Sequence, residues 1–331
     1  MKSPSKVTVI GGSGFVGTNF CQRLADNQIS FEIIDLKISQ RFPGNSKKAD
    51  VRNINSLRKT ITGDVIVNLA AVHRDDVLDK GAYYQTNVLG AENIAKICSE
   101  KSISRIVFTS SVAVYGFAEP GATETGAINP FNEYGRTKFL AEEVFRAWQQ
   151  EGENSLIIIR PTVIFGEGNR GNVYNLLSQV ASNRFLMIGS GKNHKSMAYV
   201  ENVSAFIQKC IQIDHKYALY NYIDKPHLTM NELVQIVRRR IKGKDDVGMR
   251  VPYWVGVIIG TVSDLIAMTT KKRLAVSSIR VKKFCSTTLF ESTEIETTGF
   301  QAPYTVIEGL ERTLRSEFIS PNPDREIFFS E

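Results

Sequence analysis

The chain has 331 residues, 42% hydrophobic and 23% charged, which is typical of a globular protein with one large or two medium domains. Its four cysteines lack C-x-x-C spacing, so we expect neither a disulfide framework nor a metal site, and reduced thiols favour a cytoplasmic location. Residues 234–289 hold twelve of the 41 Lys and Arg but three of the 34 Asp and Glu, and this local basic charge argues against a nucleic-acid partner. We expect no signal peptide and no membrane span, since no apolar run reaches roughly 20 residues.

The first predicted element is a buried strand that ends in a glycine-rich turn. The apolar, β-branched run Val7–Ile10 stops at two glycines, and the residues after Gly14 follow a helical pattern. Glycines recur every three residues at Gly11, Gly14 and Gly17, and the same letters also fit G-x-G-x-x-G through Gly12. Such glycines let the chain turn sharply and let N–H groups at a helix start approach a pyrophosphate. The stretch therefore predicts a dinucleotide site.

The second strand indicates which dinucleotide is bound. Phe31–Ile34 is apolar and ends in Asp35, 18 residues after Gly17. An acid at about this distance accepts a hydrogen bond from the ribose 2′-OH. Because a carboxylate would repel a 2′-phosphate, NAD is favoured over NADP, although Lys37 and Arg41 leave that choice open.

Strands and helices alternate through the first half of the chain. Further strands are predicted over Asp64–Ala70, Arg105–Ser111 and Leu156–Ile159, with helices over 81–99 and 134–150. This alternation predicts an α/β fold with a doubly wound parallel Rossmann sheet. Ligands then bind outside the carboxyl ends of the strands.

The pattern loosens after Gly166, and the last hundred residues are mostly helical. Tyr220–Ile223 is expected to return a strand to the sheet. The predicted division is an NAD-binding Rossmann domain over 1–165 with a returning segment near 197–224, and a smaller, mostly helical C-terminal domain over 166–331 that binds substrate and contacts a membrane.

A second group of polar residues carries acid–base chemistry. Ser110 and Ser111 end a predicted strand, while Tyr134 and Lys138 lie four residues apart and share a helix face. A phenol has an ordinary pKa near 10, and a neighbouring ammonium lowers that pKa. Tyr134 can then take the proton of a secondary alcohol while its hydride passes to NAD, with Ser111 orienting the reacting oxygen.

Together these motifs resemble the extended short-chain dehydrogenase/reductase family. The resemblance is carried by the glycine motif, Asp35, Leu69–Ala71, Asn87–Gly90, Ser110–Gly116, Tyr134-x-x-x-Lys138 and Arg160–Gly166. It implies NAD as cofactor and places the catalytic set at Ser111, Tyr134 and Lys138. The predicted cofactor contacts are Gly11, Gly14, Phe15, Val16, Gly17, Asp35, Asp50, Val51, Leu69, Ala70, Ala71, Tyr134, Lys138 and Pro161.

The resemblance also narrows the reaction. Dehydratases of the family carry an Asp–Glu pair just after the catalytic serine or threonine, where this chain has Val112 and Ala113. That difference disfavours removal of water and leaves a 4-epimerase or a ketone reductase.

The same resemblance suggests how the substrate is held. An arginine of the family clamps the substrate diphosphate, and Lys195 occupies its place here, although a lysine cannot fork around a phosphate. Asn172 resembles a substrate-side asparagine. His73 stands in a charged loop after a strand and receives no chemical role. The predicted substrate contacts are Ser111, Asn172 and Lys195.

Residues 251–269 form an unusually apolar predicted helix. Its small and polar residues share one narrow face, namely Gly256, Gly260, Ser263, Asp264 and Ala267. Apolar side chains cover the rest of the helix, and the basic run Lys271–Arg273 follows. Such a helix can lie in a membrane interface near anionic headgroups. A helix buried in the core fits the apolar residues equally well.

Four stretches further resemble bacterial family members that interconvert N-acetylglucosamine and N-acetylgalactosamine on undecaprenyl diphosphate: residues 73–76, 170–177, 195–200 and 276–285. This implies a 4-epimerase for O-antigen or polysaccharide synthesis, peripherally bound to the inner face of the cytoplasmic membrane. It oxidises the sugar at C4, lets the 4-keto sugar rotate and returns the hydride. The family resemblance also implies a homodimer through the helices near 81–99 and 134–150. A UDP-sugar 4-epimerase or 4-ketoreductase free in the cytoplasm, and a non-catalytic NAD-sensing protein, remain as alternatives.

Overall fold

The computed structural model describes residues 5–74, 77, 79–270 and 277–329, and the side chains of 267–270 are not considered. Within these residues the strands are Val7–Ile10 (β1), Phe31–Asp35 (β2), Ser46–Lys48 (β3), Val65–Asn68 (β4), Arg105–Thr109 (β5), Ser155–Pro161 (β6), Val163–Phe165 (β7), Met187–Ile188 (β8), His194–Lys195 (β9), Met197–Tyr199 (β10), Tyr217–Tyr222 (β11), Leu228–Thr229 (β12) and Arg250–Val251 (β13). The α-helices are Phe15–Asp26 (α1), Ile54–Thr60 (α2), Gly81–Tyr83 (α3), Gly90–Glu100 (α4), Glu133–Gln150 (α5), Asn172–Ala181 (α6), Val200–Cys210 (α7), Met230–Lys242 (α8), Tyr253–Thr270 (α9), Ser278–Cys285 (α10) and Val306–Leu314 (α11).

A sheet of seven parallel strands organises the molecule, in the order β11–β6–β5–β4–β1–β2–β3. Val7 of β1 lies between Phe31 of β2 and Val65 of β4. The later strands therefore lie on both sides of β1, with β2 and β3 on one side and β4, β5, β6 and β11 on the other. Every residue of β1, β4, β5 and β6 is buried, because helices cover both faces. The predicted doubly wound α/β fold is confirmed, and Tyr217–Tyr222 joins the sheet beside β6.

The two faces of the sheet bury alternate residues of each strand. Val7 and Val9 face a layer that includes α1 and α7, where Phe20 and Phe206 are fully buried. Ile10 faces the opposite layer, with α2, α4 and α5. Because side chains alternate along a strand, a strand covered on both faces places apolar residues on both, as Val7, Val9 and Ile10 do. The polar member, Thr8, donates its hydroxyl hydrogen to buried Glu32 at 2.7 Å.

A third core lies among α6, α8 and α11, where Leu177, Leu233 and Leu310 are buried together. Helix α8 begins with a reciprocal cap, in which the Thr229 hydroxyl accepts the N–H of Glu232 and the Glu232 carboxylate accepts the N–H of Thr229. Of these helices, α6 contributes Asn172, its first residue, to the lining of the cavity described below. The division at residue 165 stays a prediction.

Helices α9 and α10 form a hairpin that turns its small residues inward. A Cβ at Gly256 would lie 2.4 Å from Ile188, and one at Gly260 would lie 2.8 Å from the backbone of Ser278. The Asp264 carboxylate accepts hydrogen bonds from the Ser278 N–H and hydroxyl at 3.1 and 2.5 Å. The predicted narrow face therefore packs against α10, since only small residues allow this approach.

The opposite face of α9 is apolar and open to solvent. Its side chains are between 44% and 64% exposed: Tyr253, Trp254, Ile258, Ile259, Val262, Leu265 and Ile266. This exposure excludes burial of the described part of the helix in the core. The basic run at 271–273 lies outside the described residues. Among the helices that are described, none combines the length and the hydropathy needed to cross a bilayer.

Candidate active site

A cavity of about 820 Å³ opens at the carboxyl ends of the central strands. It is lined by every predicted cofactor contact and by Ser111 and Asn172, whereas Lys195 is not part of its lining. Residues that the sequence analysis did not select also line it, including Phe117, Phe131 and Lys283. No group of three or more His, Cys, Asp or Glu suited to a metal ion occurs in the part of the chain that the structure describes.

The glycine-rich turn forms a cradle at one end of this cavity. Gly11 has a φ of +80°, and a Cβ there would lie 2.6 Å from the Ala70 nitrogen. A Cβ at Gly17 would lie 2.5 Å from the Gly11 oxygen, so neither position tolerates a side chain. Gly14 lines the cavity, and its Cβ would meet only the Gly11 oxygen at 3.4 Å. A side chain at Gly14 would therefore occupy the space at the start of α1 where a pyrophosphate fits.

Two carboxylates lie beyond the cradle. Asp35 ends β2, and its Oδ2 accepts the N–H of Ser13 at 3.0 Å, which fixes the carboxylate beside the glycine turn. Asp50 accepts hydrogen bonds from the Arg52 guanidinium, the closest at 2.6 Å, which lower its pKa despite the opposing effect of partial burial. Asp35 is thereby oriented for a ribose hydroxyl, and the carboxylate of Asp50 is held ionised where it lines the cavity.

Ser111 is the second residue after β5, in extended backbone that caps a short 3₁₀ turn over Val112–Tyr115. Its Oγ accepts the N–H of Ala113 at 3.1 Å. Because the hydroxyl oxygen accepts this bond, the hydroxyl hydrogen remains available to donate to a substrate oxygen. The neighbouring Ser110 hydroxyl donates instead to buried Glu142 at 2.6 Å.

Tyr134 and Lys138 lie one turn apart on α5, which begins at the Asn132 cap. The Lys138 ammonium is buried, donates to the Thr109 carbonyl at 2.6 Å and lies 4.6 Å from the centre of the Phe108 ring. Burial lowers the pKa of Lys138 to about 7, against the charge of Glu142, which raises it. The lysine can therefore change its charge near neutral pH in response to a phenolate or a cofactor beside it.

A buried polar network beneath this set was missed by the sequence analysis. Glu142 accepts two hydrogen bonds from the Arg160 guanidinium, at 2.8 and 2.5 Å, and neither side chain exceeds 2% exposure. Arg160 also donates to the Tyr115 hydroxyl, which in turn donates to Asn221 of β11. The network ties α5 to β6 and β11. Since Glu142 falls one turn after Lys138, its spacing was the available signal.

The structure does not bring Lys195 to the other candidates. Its ammonium donates to the carbonyls of Lys283 and Ser286 at 2.9 and 2.7 Å, behind the cavity wall. Burial lowers the pKa of Lys195 to about 8. Two of the three ammonium hydrogens are thus used at the end of α10, and the predicted diphosphate contact of Lys195 stays a prediction. His73 lines the cavity with an exposed side chain.

The glycine cradle, the acid after β2 and the Ser–Tyr–Lys set are the parts of a dinucleotide-dependent enzyme of alcohols and ketones. The chain belongs to the NAD dependent epimerase/dehydratase family, whose pattern matches residues 7–221. NAD is thus the cofactor, and the cradle fits its pyrophosphate. The predicted family is confirmed.

Similarity to individual proteins is more informative than the family alone. The chain is 46% identical over 330 residues, covering 98% of this chain and 99% of the relative, to the N-acetyl-alpha-D-glucosaminyl-diphospho-ditrans,octacis-undecaprenol 4-epimerase of Escherichia coli O157:H7. It is 26% identical over 355 residues, covering 97% of this chain and 98% of the relative, to the UDP-glucose 4-epimerase of Vibrio cholerae. Its fold resembles that of the Bordetella bronchiseptica enzyme WbmG in complex with NAD and UDP, with a TM-score of 0.73, 14% identity and coverage of 96% and 95% of the two chains.

Proposed function

We propose that this protein is an NAD-dependent 4-epimerase that interconverts N-acetylglucosamine and N-acetylgalactosamine on undecaprenyl diphosphate, for O-antigen or polysaccharide synthesis. The observation that carries this assignment is the 46% identity, over 98% of the chain, to the Escherichia coli enzyme of that name. The exposed apolar face of α9 supports it, because an enzyme of a lipid-linked sugar must work beside a bilayer.

The chain's own residues divide the acid–base work. Tyr134 takes the proton of the C4 hydroxyl and later returns it, while Lys138 stabilises the phenolate and holds the nicotinamide ribose. Ser111 donates its hydroxyl hydrogen to the C4 oxygen, since its own oxygen already accepts the Ala113 N–H. The chemistry that NAD supplies when bound is reversible acceptance of the C4 hydride.

Epimerisation requires the 4-keto sugar to present its other face before the hydride returns. We propose that the sugar ring pivots while its carrier stays bound. Asn172, at the start of α6, lines the cavity and is the proposed substrate-side contact. Asp35 accepts the ribose 2′-OH and repels a 2′-phosphate, which selects NAD.

We also propose peripheral contact with the inner face of the cytoplasmic membrane. The described part of α9 offers seven apolar side chains to solvent, and the segment around it is strongly basic. Cosedimentation with vesicles containing anionic lipid tests this proposal. Leu265→Ser should weaken binding, since Leu265 is 62% exposed on this face, whereas Ile319→Ser, at a 46% exposed site elsewhere, should not. Equal binding by wild type and both variants would contradict it.

We further propose a homodimer through the helices near 81–99 and 134–150, of which α4 and α5 form the greater part. These two helices pack against each other on one face of the sheet. Light scattering during gel filtration measures the mass directly, and a mass near 37.0 kDa at all concentrations would exclude the dimer.

The decisive experiment is a product assay on both carriers. Purified protein is given N-acetylglucosamine on undecaprenyl diphosphate, or on UDP, and the epimer is measured together with NADH. The proposed enzyme forms the epimer on the lipid carrier and leaves NADH unchanged. Turnover on UDP alone would favour a nucleotide-sugar epimerase, as the Vibrio cholerae relative suggests. Stoichiometric formation of NADH together with a 4-keto sugar would indicate a 4-ketoreductase working in reverse, and no turnover on either carrier would favour an NAD-sensing protein.

A further inference from the structure

Two phenylalanines stand exposed at the wall of the catalytic cavity. Phe117 is 52% exposed and Phe131 is 46% exposed, and both line the cavity. Their ring centres lie 4.8 Å apart, with planes inclined by 31°. Large apolar side chains that cluster on an open wall mark a surface that a ligand covers.

The pair is held by two loops in close contact. Gly116 has a φ of +66°, and a Cβ there would lie 1.9 Å from the Asn129 oxygen. The Asn129 N–H donates to the Val114 carbonyl at 3.0 Å. Because only glycine permits this approach, the loops that carry Phe117 and Phe131 are fixed to each other. Phe131 lies three residues before Tyr134, so the ring pair is close in sequence to the catalytic helix.

Helix α10 places two lysines against these rings. The Lys282 ammonium lies 5.7 Å from the centre of the Phe117 ring, and the Lys283 ammonium lies 4.7 Å from that of Phe131. Helix α10 contains Arg280 as well and no acidic residue. Phe117, Phe131, Lys282 and Lys283 therefore form one aromatic–lysine cluster, in which positive charge and apolar surface lie side by side.

The buried face of α10 is anchored from behind. Lys195 donates to the carbonyls of Lys283 and Ser286, and the Asn193 side chain donates to the carbonyl of Phe284 at 2.8 Å. These bonds hold the end of α10 at the cavity wall, where Ser286 also lines the cavity. Lys195 thus acts on the site through the segment that it positions.

We propose that the aromatic–lysine cluster binds the junction of diphosphate and isoprenoid in the lipid-linked substrate. The two ammonium groups neutralise the phosphates, and the two rings cover the first isoprene units. This inference rests on the proposed function. It is supported by the packing of α10 on α9, which joins the cluster to the exposed apolar face by one hairpin. The cluster would then select a lipid carrier over a nucleotide.

Calorimetric titration of the NAD-loaded protein tests the cluster without relying on turnover. The probes are a 15-carbon isoprenyl diphosphate, inorganic diphosphate and UDP. Phe117→Ala should weaken isoprenyl diphosphate by roughly tenfold and leave inorganic diphosphate unchanged, because it removes apolar contact alone. Phe117→Leu should restore most of the affinity. Lys283→Ala should weaken both diphosphates.

Matched controls are Phe329→Ala, at a 70% exposed ring outside the cavity lining, and Lys216→Ala, at a surface ion pair. An affinity for isoprenyl diphosphate that Phe117→Ala leaves unchanged would overturn the inference, as would an equal loss for UDP. These outcomes are distinct from failure of the proposed function, which appears as absence of turnover on the lipid carrier by the wild type.

Discussion

The cofactor side of the cavity and the α9–α10 hairpin use apolar residues in opposite ways. In the sheet, β1, β4 and β5 bury every side chain, and the functional groups are those left at the strand ends. In the hairpin, α9 buries its glycines and exposes its large side chains. The buried strands hold the polar groups at their ends in fixed positions, whereas α9 presents an apolar surface to solvent. The difference supports the two proposals above, in which a rigid frame holds NAD and the exposed face of α9 contacts the membrane.

The largest expected effect is a loss of catalysis without a loss of NAD binding. Tyr134→Phe removes the proton acceptor and should lower kcat by roughly 10²–10⁴-fold. NAD binding, measured by calorimetry, should stay near the wild-type value because the glycine cradle is intact. An unchanged kcat would contradict the role assigned to Tyr134.

Glu142→Ala tests how much the buried network beneath Lys138 contributes to the stability of the fold. The substitution leaves the Arg160 guanidinium buried without its carboxylate, which should cost about 3–5 kcal/mol in the free energy of unfolding. Urea denaturation measures the loss. Glu143→Ala is the matched control, since this neighbour is 50% exposed and should change the stability by less than about 1 kcal/mol. A similar loss in both variants would contradict the difference between buried network and surface.

Acid unfolding tests Glu32, which lies near the start of β2, at the end of the sheet away from the cavity. Glu32 is buried, which raises its pKa, but hydrogen bonds from Lys47, Thr62 and Thr8 outweigh burial and hold the pKa at about 2, below the ordinary 4.5. The folded state therefore gains about 3 kcal/mol from the carboxylate above pH ~4.5, and loses it as the pH falls toward ~2.

Glu32→Gln should make the stability less dependent on pH across this window, in addition to a loss at neutral pH. Denaturation at a series of pH values measures both effects. Glu153→Gln, at a surface ion pair where Glu153 is 85% exposed, should follow the wild-type profile. A Glu32→Gln profile as steep as that of the wild type would show that the pH dependence arises elsewhere.

The smallest expected effect concerns the hairpin. Gly260→Ala places a Cβ 2.8 Å from the Ser278 backbone, so α9 must move away from α10, at a cost of about 1–3 kcal/mol. Differential scanning calorimetry and vesicle binding should both report the change. Gly44→Ala is the control, because no atom lies within 4 Å of its Cβ position. Equal transitions for the two variants would argue against tight packing of the hairpin.

The sheet could be predicted from sequence because its signal is local. Val7, Val9 and Ile10 place apolar side chains on both faces of β1, and this pattern next to a glycine turn has few interpretations. Strand ends were less certain: the predicted Asp64–Ala70 and Arg105–Ser111 are shorter in the structure, at Val65–Asn68 and Arg105–Thr109, because their last residues leave the ladder to line the cavity. The family, the fold class and NAD were predicted and are confirmed.

The substrate side could not be predicted in the same way. Lys195 matched a family position, yet its ammonium turns to carbonyls at residues 283 and 286, far along the chain. The ring pair of Phe117 and Phe131 depends on a contact between loops that no periodicity encodes. The individual site residues stay predictions, with the geometry above as their support.

The ion pair between Glu142 and Arg160 has a consequence for how the sugar moves. It joins the catalytic helix to β6, and through Tyr115 and Asn221 to the edge strand β11. Breathing of that helix away from the sheet would strand two opposite charges in an apolar interior. We therefore expect α5 to stay fixed to the sheet during turnover, so that the sugar turns against an immobile catalytic helix.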